Sequence, residues 1–510
     1  MGTESDAPRE IELKLEVEPQ DLAKILAHPL LDGTSHGGPA RQKLHAVYFD
    51  TPDRTLQQAG ISLRVRSNGE RRIQTIKAAD APRVIALARS EWEHEVEGDE
   101  PDFALAEGTA LERFLTCRES IQPVFSVMTE RTFQTLSFGS SLIEVAADDG
   151  RVDAQERAIR FGEVELELKN GVPEDLFRLA MELSAAAPLR LSFKTKAERG
   201  FEAASGDRLT RVKASPVLLK RRMTSAEAFQ LIGASCLRHL MANEAIVRRT
   251  PEAGADAVHQ MRVALRRLRA AISLFKAVVE DEHRDQIKAE LKWMAGVLGE
   301  ARDLDVYIAK VLEPARANHA GDAGFDDLLA EYQQRRSRAY AAVQEAIASP
   351  RFLNGVLEAA AWIQAGNWLL DDRKPARKRR NKPVAVAAEE ELDRRWRRIL
   401  KRGKNLVELD PEERHRVRID LKKLRYATEF FESLFKGGAA KKRRRAALET
   451  LEALQEILGE LNDIAVGADM DPSPAAQAIH REQTSRVDDL LADAKGQYKA
   501  LAALEPFWAA

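Results

Sequence analysis

Glu10, Glu12, Lys14 and Glu16 occupy alternate positions with Ile11, Leu13, Leu15 and Val17 among them, and Glu163, Glu165, Glu167 and Lys169 repeat that arrangement around Val164, Leu166 and Leu168. An extended chain sends alternate side chains to opposite faces. Each segment therefore predicts a strand with one apolar face and one face of carboxylates and a single ammonium. Acids gathered this closely repel one another unless cations sit among them. The candidate cations are Arg64 and Arg66, two apart on one strand-like run, Lys77 at the end of the next, Arg131, and Lys194 and Lys196. Guanidinium and ammonium groups hold phosphate oxygens, whereas carboxylates hold Mg2+ or Mn2+, which bridges to phosphate or activates a water. Both sets in one cavity read as a metal-dependent site for a condensed phosphate. The implied reaction is in-line attack of water on a terminal phosphoryl group. The sequence has no GxxxxGK[ST] loop, no GxGxxG fingerprint and no nucleophilic serine or cysteine motif to suggest another route.

A second pattern lies downstream. At about 100° per residue, His259, Arg262, Arg266 and Arg269 fall on one helical stripe, and His415, Arg418, Lys422 and Arg425 repeat it at the same spacing. Cations on one stripe repel unless an anion neutralises them, and solvent alone asks for no particular register. Each stripe is followed by a related segment, Leu298-Gly-Glu-Ala-Arg302-Asp303-Leu-Asp305 and Leu458-Gly-Glu-Leu-Asn462-Asp463-Ile-Ala465, in which Asn462 and Ala465 replace Arg302 and Asp305. Duplication of one helical bundle is the simplest account.

The elements that must position these residues divide the 510-residue chain in two. Residues 8–205 carry short alternating runs with Ser67-Asn-Gly69 and Asp148-Asp-Gly150 as hairpin turn signals, which predicts an α+β domain dominated by antiparallel sheet. Residues 206–222 form a linker. From 223 to 506 the pattern is all-α, with repeat halves at about 223–370 and 385–506 joined by the basic run Arg373–Lys382. Residues 1–210 hold 26 Lys and Arg against 37 Asp and Glu, a net −11, and the remainder hold 53 against 44, a net +9. An acidic half suits metal binding and a basic half suits a polyanion. Few aromatics, chiefly Trp396 and Tyr426, interleave the basic residues, so nucleic acid is a poor fit. The most apolar stretch, from Val356 to Leu370, is interrupted by Glu358, Gln364 and Asn367 and reads as a core helix, not a membrane span. Two cysteines, Cys117 and Cys236, and a start without a signal sequence predict a reducing cytoplasm.

The ordered set Glu10-x-Glu12-x-Lys14, Arg64-x-Arg66, Lys77, Glu91-x-Glu93, Arg131, Glu144 with Asp148, Glu165-x-Glu167 and Lys196-Ala-Glu-Arg199-Gly200 resembles the CYTH superfamily of triphosphate tunnel metalloenzymes, in its bacterial inorganic triphosphatase branch. The resemblance implies an eight-stranded antiparallel tunnel barrel. It implies metal ligands at Glu10, Glu12, Asp148, Glu165 and Glu167, and phosphate contacts at Lys14, Arg64, Arg66, Lys77, Arg131 and Lys196. Glu10, Glu12, Lys14, Lys77 and Arg131 become the catalytic set. The downstream repeat resembles the CHAD domain, which implies two helical bundles binding inorganic polyphosphate through His259, Arg262, Arg266, Arg269, His415, Arg418, Lys422 and Arg425. The expected activity is hydrolysis of inorganic tripolyphosphate with Mg2+ or Mn2+ as cofactor, in a protein recruited to polyphosphate granules. The alternatives are a polyphosphate-binding protein without turnover, or a tunnel enzyme acting on an organic triphosphate, such as a nucleoside or thiamine triphosphatase or an adenylate cyclase.

Overall fold

Strand β1, Ile11–Val17, realises the alternation at the start of the chain, with Leu13, Leu15 and Val17 buried and Glu12, Lys14 and Glu16 on the opposite face. The computed structural model describes residues 11–33, 35–69, 71–78, 90–206, 211–250, 254–467 and 473–509. Glu10 lies outside the described residues. The chain divides into two compact units, Met1–Thr210 with Ile347–Gly366, and Arg211–Ala346 with Asn367–Ala510.

In the first unit, β2 (Ser35–Asp50), β3 (Ile61–Ser67), β4 (Arg72–Ala78), β5 (Ser90–Val96), β6 (Gln122–Phe138), β7 (Ser141–Ala154), β8 (Arg157–Asn170) and β9 (Arg190–Ser192) join β1 in one sheet of order β5-β4-β3-β2-β6-β7-β8-β1-β9. All described pairings are antiparallel. The sheet has nine strands, not the eight expected. The extra strand, β9, brings Ser192 opposite Lys14 and satisfies the backbone groups on the edge of β1. Three residues are too few for a period-two pattern to reveal it.

Ser67-Asn-Gly69 does turn the chain, with the Asn68 N–H donating to the Arg71 carbonyl at 3.2 Å and Gly69 at φ 103°. Asp148-Asp-Gly150 does not; it lies within β7, and the reversal into β8 comes at Gln155, at φ 54°. Gly150 serves close packing instead, because a Cβ there would come within 2.1 Å of the Phe161 ring.

Helices α1 (Glu174–Leu183) and α2 (Lys196–Ser205) complete the N-terminal part of this unit. A capping box starts α2: the Thr195 hydroxyl accepts from the Glu198 N–H, and the Glu198 carboxylate accepts from the Thr195 N–H. Its Ala197, Phe201 and Ala203 bury against Tyr48, Phe125, Val152 and Phe161 of the sheet. Gly200 touches the sheet so closely that a Cβ would fall 1.9 Å from Phe125. Helix propensity alone would favour alanine there by ~1 kcal/mol. Phe125, however, is held between Tyr48 (centroids 4.7 Å apart) and Phe201 (5.0 Å), so its ring cannot yield. Gly200→Ala is therefore expected to destabilise the protein by ~1–3 kcal/mol, read as a lowered Tm.

The longer helices that follow are α3 (Ser225–Arg249), α4 (Gly254–Leu274), α5 (Arg284–Tyr307), α6 (Ala323–Ala348), α7 (Pro350–Ala365), α8 (Val384–Arg402), α9 (Pro411–Phe431), α10 (Gly438–Gly467), α11 (Pro474–Thr484) and α12 (Val487–Ala503). The duplicated segments form corresponding pairs, α4 with α5 and α9 with α10, and α4 packs against α9. Arg267 of α4 is buried at that contact, 2.6 Å from Glu429 and over the Phe430 ring. The basic run expected as a linker folds in part as a helix, Lys374–Arg380, because Pro375 opens a first turn instead of breaking one. The apolar stretch near Val356 belongs to α7, which joins the sheet unit and packs against α1 and β9. Its Phe352, Leu353, Val356, Leu357, Trp362 and Ile363 are all buried. Among the described residues, no helix is long and apolar enough to cross a membrane.

Candidate functional site

Register determines which charges share a face of the sheet. Arg131, Asp148, Glu163 and Glu16 align laterally across β6, β7, β8 and β1. Two residues along each strand come Phe133, Ala146, Glu165 and Lys14, and two further come Thr135, Glu144, Glu167 and Glu12. Lys196, the first residue of α2, reaches the same face. Its Nζ lies 2.9 Å from Asp148 Oδ2, 2.6 Å from Glu163 Oε1 and 3.0 Å from Glu165 Oε1. Arg131 forks onto Asp148 with two bonds of 2.7 Å and also reaches Glu165 Oε2 at 2.5 Å. Lys14 donates to Glu165 and sits 3.4 Å from Glu12.

The result is a trio of carboxylates, Asp148, Glu163 and Glu165, whose oxygens lie within 4.8 Å of one another, interleaved with Lys14, Arg131 and Lys196. Burial disfavours the charged forms of Glu165, Lys196 and Lys14, yet the opposite charges around them prevail. Glu165 is held well below the usual carboxylate range against its burial by Lys14, Lys196 and Arg131. Lys196 is pushed well above the usual lysine value against the same burial by Asp148, Glu163 and Glu165. Lys14 is raised by Glu165, Glu163 and Glu12, again in opposition to burial.

The other cations stand on β3 and β4. Lys77 pairs with Glu91 at 2.8 Å, Arg66 with Glu93 at 3.5 Å, and Arg64 donates to the Tyr48 hydroxyl at 3.4 Å. The Arg66 guanidinium is lowered by burial and then by Arg64, and it also feels Arg131. Arg66 and Arg131 line one cavity of about 200 Å³ with Gln42, Phe133 and Glu144. Glu12 and Glu167 lie outward of the trio, Glu167 pairing with Lys169 at 2.8 Å. Lys194 pairs with Glu202 at 2.5 Å, away from the trio.

In the helical unit, α4 and α9 bring the two basic stripes together. Lys422 is pushed down to about 8 by burial and then by Arg418, Arg266 and Arg262, and Arg266 is lowered by burial with Arg262, Arg425 and Arg418 nearby. Arg262 is the most engaged, donating to Asp303 at 2.7 Å and to the Gly299 carbonyl at 2.8 Å. The Nε groups of Arg266 and Arg418 are buried without a hydrogen-bond partner among the described residues, whereas Arg425 faces Glu429 at 3.9 Å and Glu452 at 3.8 Å. His259 is driven down to about 4 by burial, Arg302, Arg266 and Arg262, so it is neutral at physiological pH and contributes a polar ring instead of a charge. His415 is exposed and bonds Asn462 at 2.8 Å. Arg269 is exposed, and no described contact joins it to the cluster. The departures in the second copy matter here: Asp305 accepts from Arg336 (2.6 Å) and Tyr340 (2.7 Å), whereas Ala465 can accept from neither kind of partner.

The CYTH family profile matches residues 8–201, and the CHAD family profile matches residues 231–470. The chain is a CYTH domain followed by a CHAD domain. Over 214 residues it is 32% identical to an inorganic triphosphatase of Haemophilus influenzae, a match covering 40% of this chain and 57% of that protein. Over 284 residues it is 28% identical to an uncharacterised protein of Mycobacterium tuberculosis, covering 52% of each. The chain thus spans little more than half the length of the curated relatives it matches. Among solved structures it is similar to the CHAD domain of the plant Ricinus communis, at 30% identity and a TM-score of 0.49, covering 58% of this chain and 98% of that one.

Sequence pattern alone assigns no role to two residues of the CYTH face. Glu163 belongs to the carboxylate trio, and Arg199, buried over the Phe161 ring, lies 3.5 Å from Glu163. The alternation of Glu163, Glu165 and Glu167 carried the signal for the first. In the CHAD domain the overlooked residue is Arg267, one position beyond the stripe.

Proposed function

We propose that the CYTH domain hydrolyses inorganic triphosphate with a divalent metal and that the CHAD domain binds polyphosphate. The carboxylate trio interleaved with three cations on one face of the sheet carries this reading. Carboxylate oxygens suit Mg2+ or Mn2+, and Asp148, Glu163 and Glu165 would hold the ion. A bound divalent cation would supply charge neutralisation and an oriented water. With their carboxylate partners so occupied, Lys14, Arg131 and Lys196 become available to phosphate oxygens. Arg64, Arg66 and Lys77 extend the grip, with Glu91 and Glu93 balancing their charge until substrate arrives. Cations fixed beforehand around the leaving phosphate stabilise its developing charge without reorganisation. The similarity to an inorganic triphosphatase over the CYTH part supports the substrate. The test is phosphate release from tripolyphosphate by the full chain with Mg2+ or Mn2+; no release with either ion would leave only a binding protein.

Polyphosphate binding by the basic cluster on α4 and α9 should depend on pH in a defined direction. Lys422 is pushed down to about 8 by burial and the neighbouring arginines, and a bound polyanion favours its charged form, so binding takes up protons. Affinity is expected to fall as pH rises through about 8, and Lys422→Arg, which stays charged, should flatten that fall in a fluorescence titration.

A further inference from the structure

The helical unit keeps its duplication down to single hydrogen bonds. The Ser225 N–H donates to the Lys382 carbonyl at 2.9 Å and the Val384 N–H to the Met223 carbonyl at 2.8 Å, a reciprocal pair that makes the starts of α3 and α8 equivalent. Burial agrees, because Gly233, Leu237 and Leu240 of α3 match Leu392, Trp396 and Ile399 of α8. Counted the same way, His239 and Asn243 of the first repeat match Arg398 and Arg402 of the second. In the first repeat these positions grip a peptide. The Asn243 amide accepts from the Val212 N–H and donates to the Val212 carbonyl, both at 2.9 Å, and His239 Nε2 lies 3.0 Å from that carbonyl. Arginines offer donors only, so Arg398 and Arg402 cannot hold a backbone that way. What they face instead is Asp420, 8% exposed, at 4.0 Å from Arg398 and 2.6 Å from Arg402. Lys423 joins them: burial lowers it, Asp420 opposes that, and Arg395, Arg398 and Arg402 add to it. Glu391, the neighbouring acid on α8, is already engaged by Arg394 and Arg395. Three cations therefore share one carboxylate, and Lys423 forms no hydrogen bond or ion pair among the described residues.

We propose that Arg398, Arg402 and Lys423 form a separate anion site on the second repeat, which takes a small phosphate-type oxyanion such as diphosphate. The site is not part of the basic stripe. Measured from Arg418 at about 100° per residue, Lys422 lies about 40° around α9, whereas Lys423 and Asp420 lie about 140° and about 200° around it. Guanidinium forks and an ammonium match phosphate oxygens. Arg398 and Arg402 stand one helical turn apart, roughly 6 Å along the axis, which suits one or two phosphoryl groups and not a long chain. The side chains of both arginines are more than two-fifths exposed, so an anion can reach them. Asp420 acts as their resident counter-ion, holding the guanidinium groups in place and competing with the incoming anion.

The test uses the full-length protein in a metal chelator, with diphosphate as the probe and the acetylation rate of Lys423, mapped by mass spectrometry, as the readout. Saturating diphosphate is expected to slow that acetylation by at least ~5-fold. Arg398→Gln should raise the half-protecting concentration about tenfold. Asp420→Asn should lower it by about threefold or more, because the competing carboxylate is gone; tighter binding cannot come from a damaged fold, and a purely structural ion pair does not predict it. Arg418→Gln combined with Lys422→Gln should leave Lys423 protection within about twofold of the parent. Undiminished labelling in diphosphate, or the same slowing by sodium chloride of equal ionic strength, would overturn the site. Protection that follows the Arg418 and Lys422 variant instead of Arg398→Gln would return Lys423 to the stripe. Better protection by long-chain polyphosphate than by diphosphate at equal phosphate concentration would replace the small anion with a chain. These outcomes are independent of whether the CYTH domain cleaves tripolyphosphate.

Discussion

Glu163→Gln combined with Glu165→Gln is expected to lower metal-dependent phosphate release from tripolyphosphate by roughly 10³-fold or more. Both substitutions keep side-chain volume while removing two of the three carboxylates that converge with Asp148. They also leave Lys14, Arg131 and Lys196 facing one another with less compensation, so Tm must be measured alongside turnover. Glu167→Gln provides the comparison. Its carboxylate lies further out and is paired with Lys169, so a loss of only about tenfold is expected. Equal losses from Glu167 and from the inner pair would move the metal outward, towards Glu12 and Glu144. Unchanged turnover in the double variant, with the fold intact, would remove the trio from catalysis.

Arg418→Glu combined with Lys422→Glu should weaken polyphosphate binding and spare tripolyphosphate cleavage. Both side chains belong to the basic cluster where α4 packs on α9, and there Lys422 feels Arg418, Arg266 and Arg262. Losing two charge-assisted contacts of ~1.5–3 kcal/mol each corresponds to an affinity loss of ~10²-fold or more. The slope of log affinity against log salt should also flatten, because fewer counterions are displaced by the bound chain. The measurement is polyphosphate binding across a salt series, beside a tripolyphosphate assay on the same preparation. Parallel loss of binding and cleavage would mean that one site serves both.

The parts of this molecule that were legible in its sequence are those where period and charge coincide. The alternation from Glu12 to Val17 announced β1, and the repeated stripes announced α4 and α9, because each pattern sorts apolar from charged side chains at the spacing of its own element. Which glutamates converge was not legible. Glu163, Glu165 and Glu167 are equivalent in pattern, and only the register with β7 sets Glu163 beside Asp148. Asp148-Asp-Gly150 misled because a glycine after acids is a turn signal, whereas Gly150 is there to admit the Phe161 ring. Local composition cannot tell these uses of glycine apart. The lowering of His259 was equally hidden, since it comes first from burial and then from Arg302, which lies on another helix.

The seat of α7 on α1 and β9 governs the order in which the protein can mature. Domains generally fold as the chain emerges from the ribosome, amino-terminal part first. Here the β-rich unit is complete only when residues 347–366 have been synthesised, after a long run of helical sequence that belongs elsewhere. Until then the surface of the β-rich unit that receives Trp362 and its neighbours stays wet. Translation past residue 366, not past residue 210, therefore marks the moment at which this unit can acquire its mature stability.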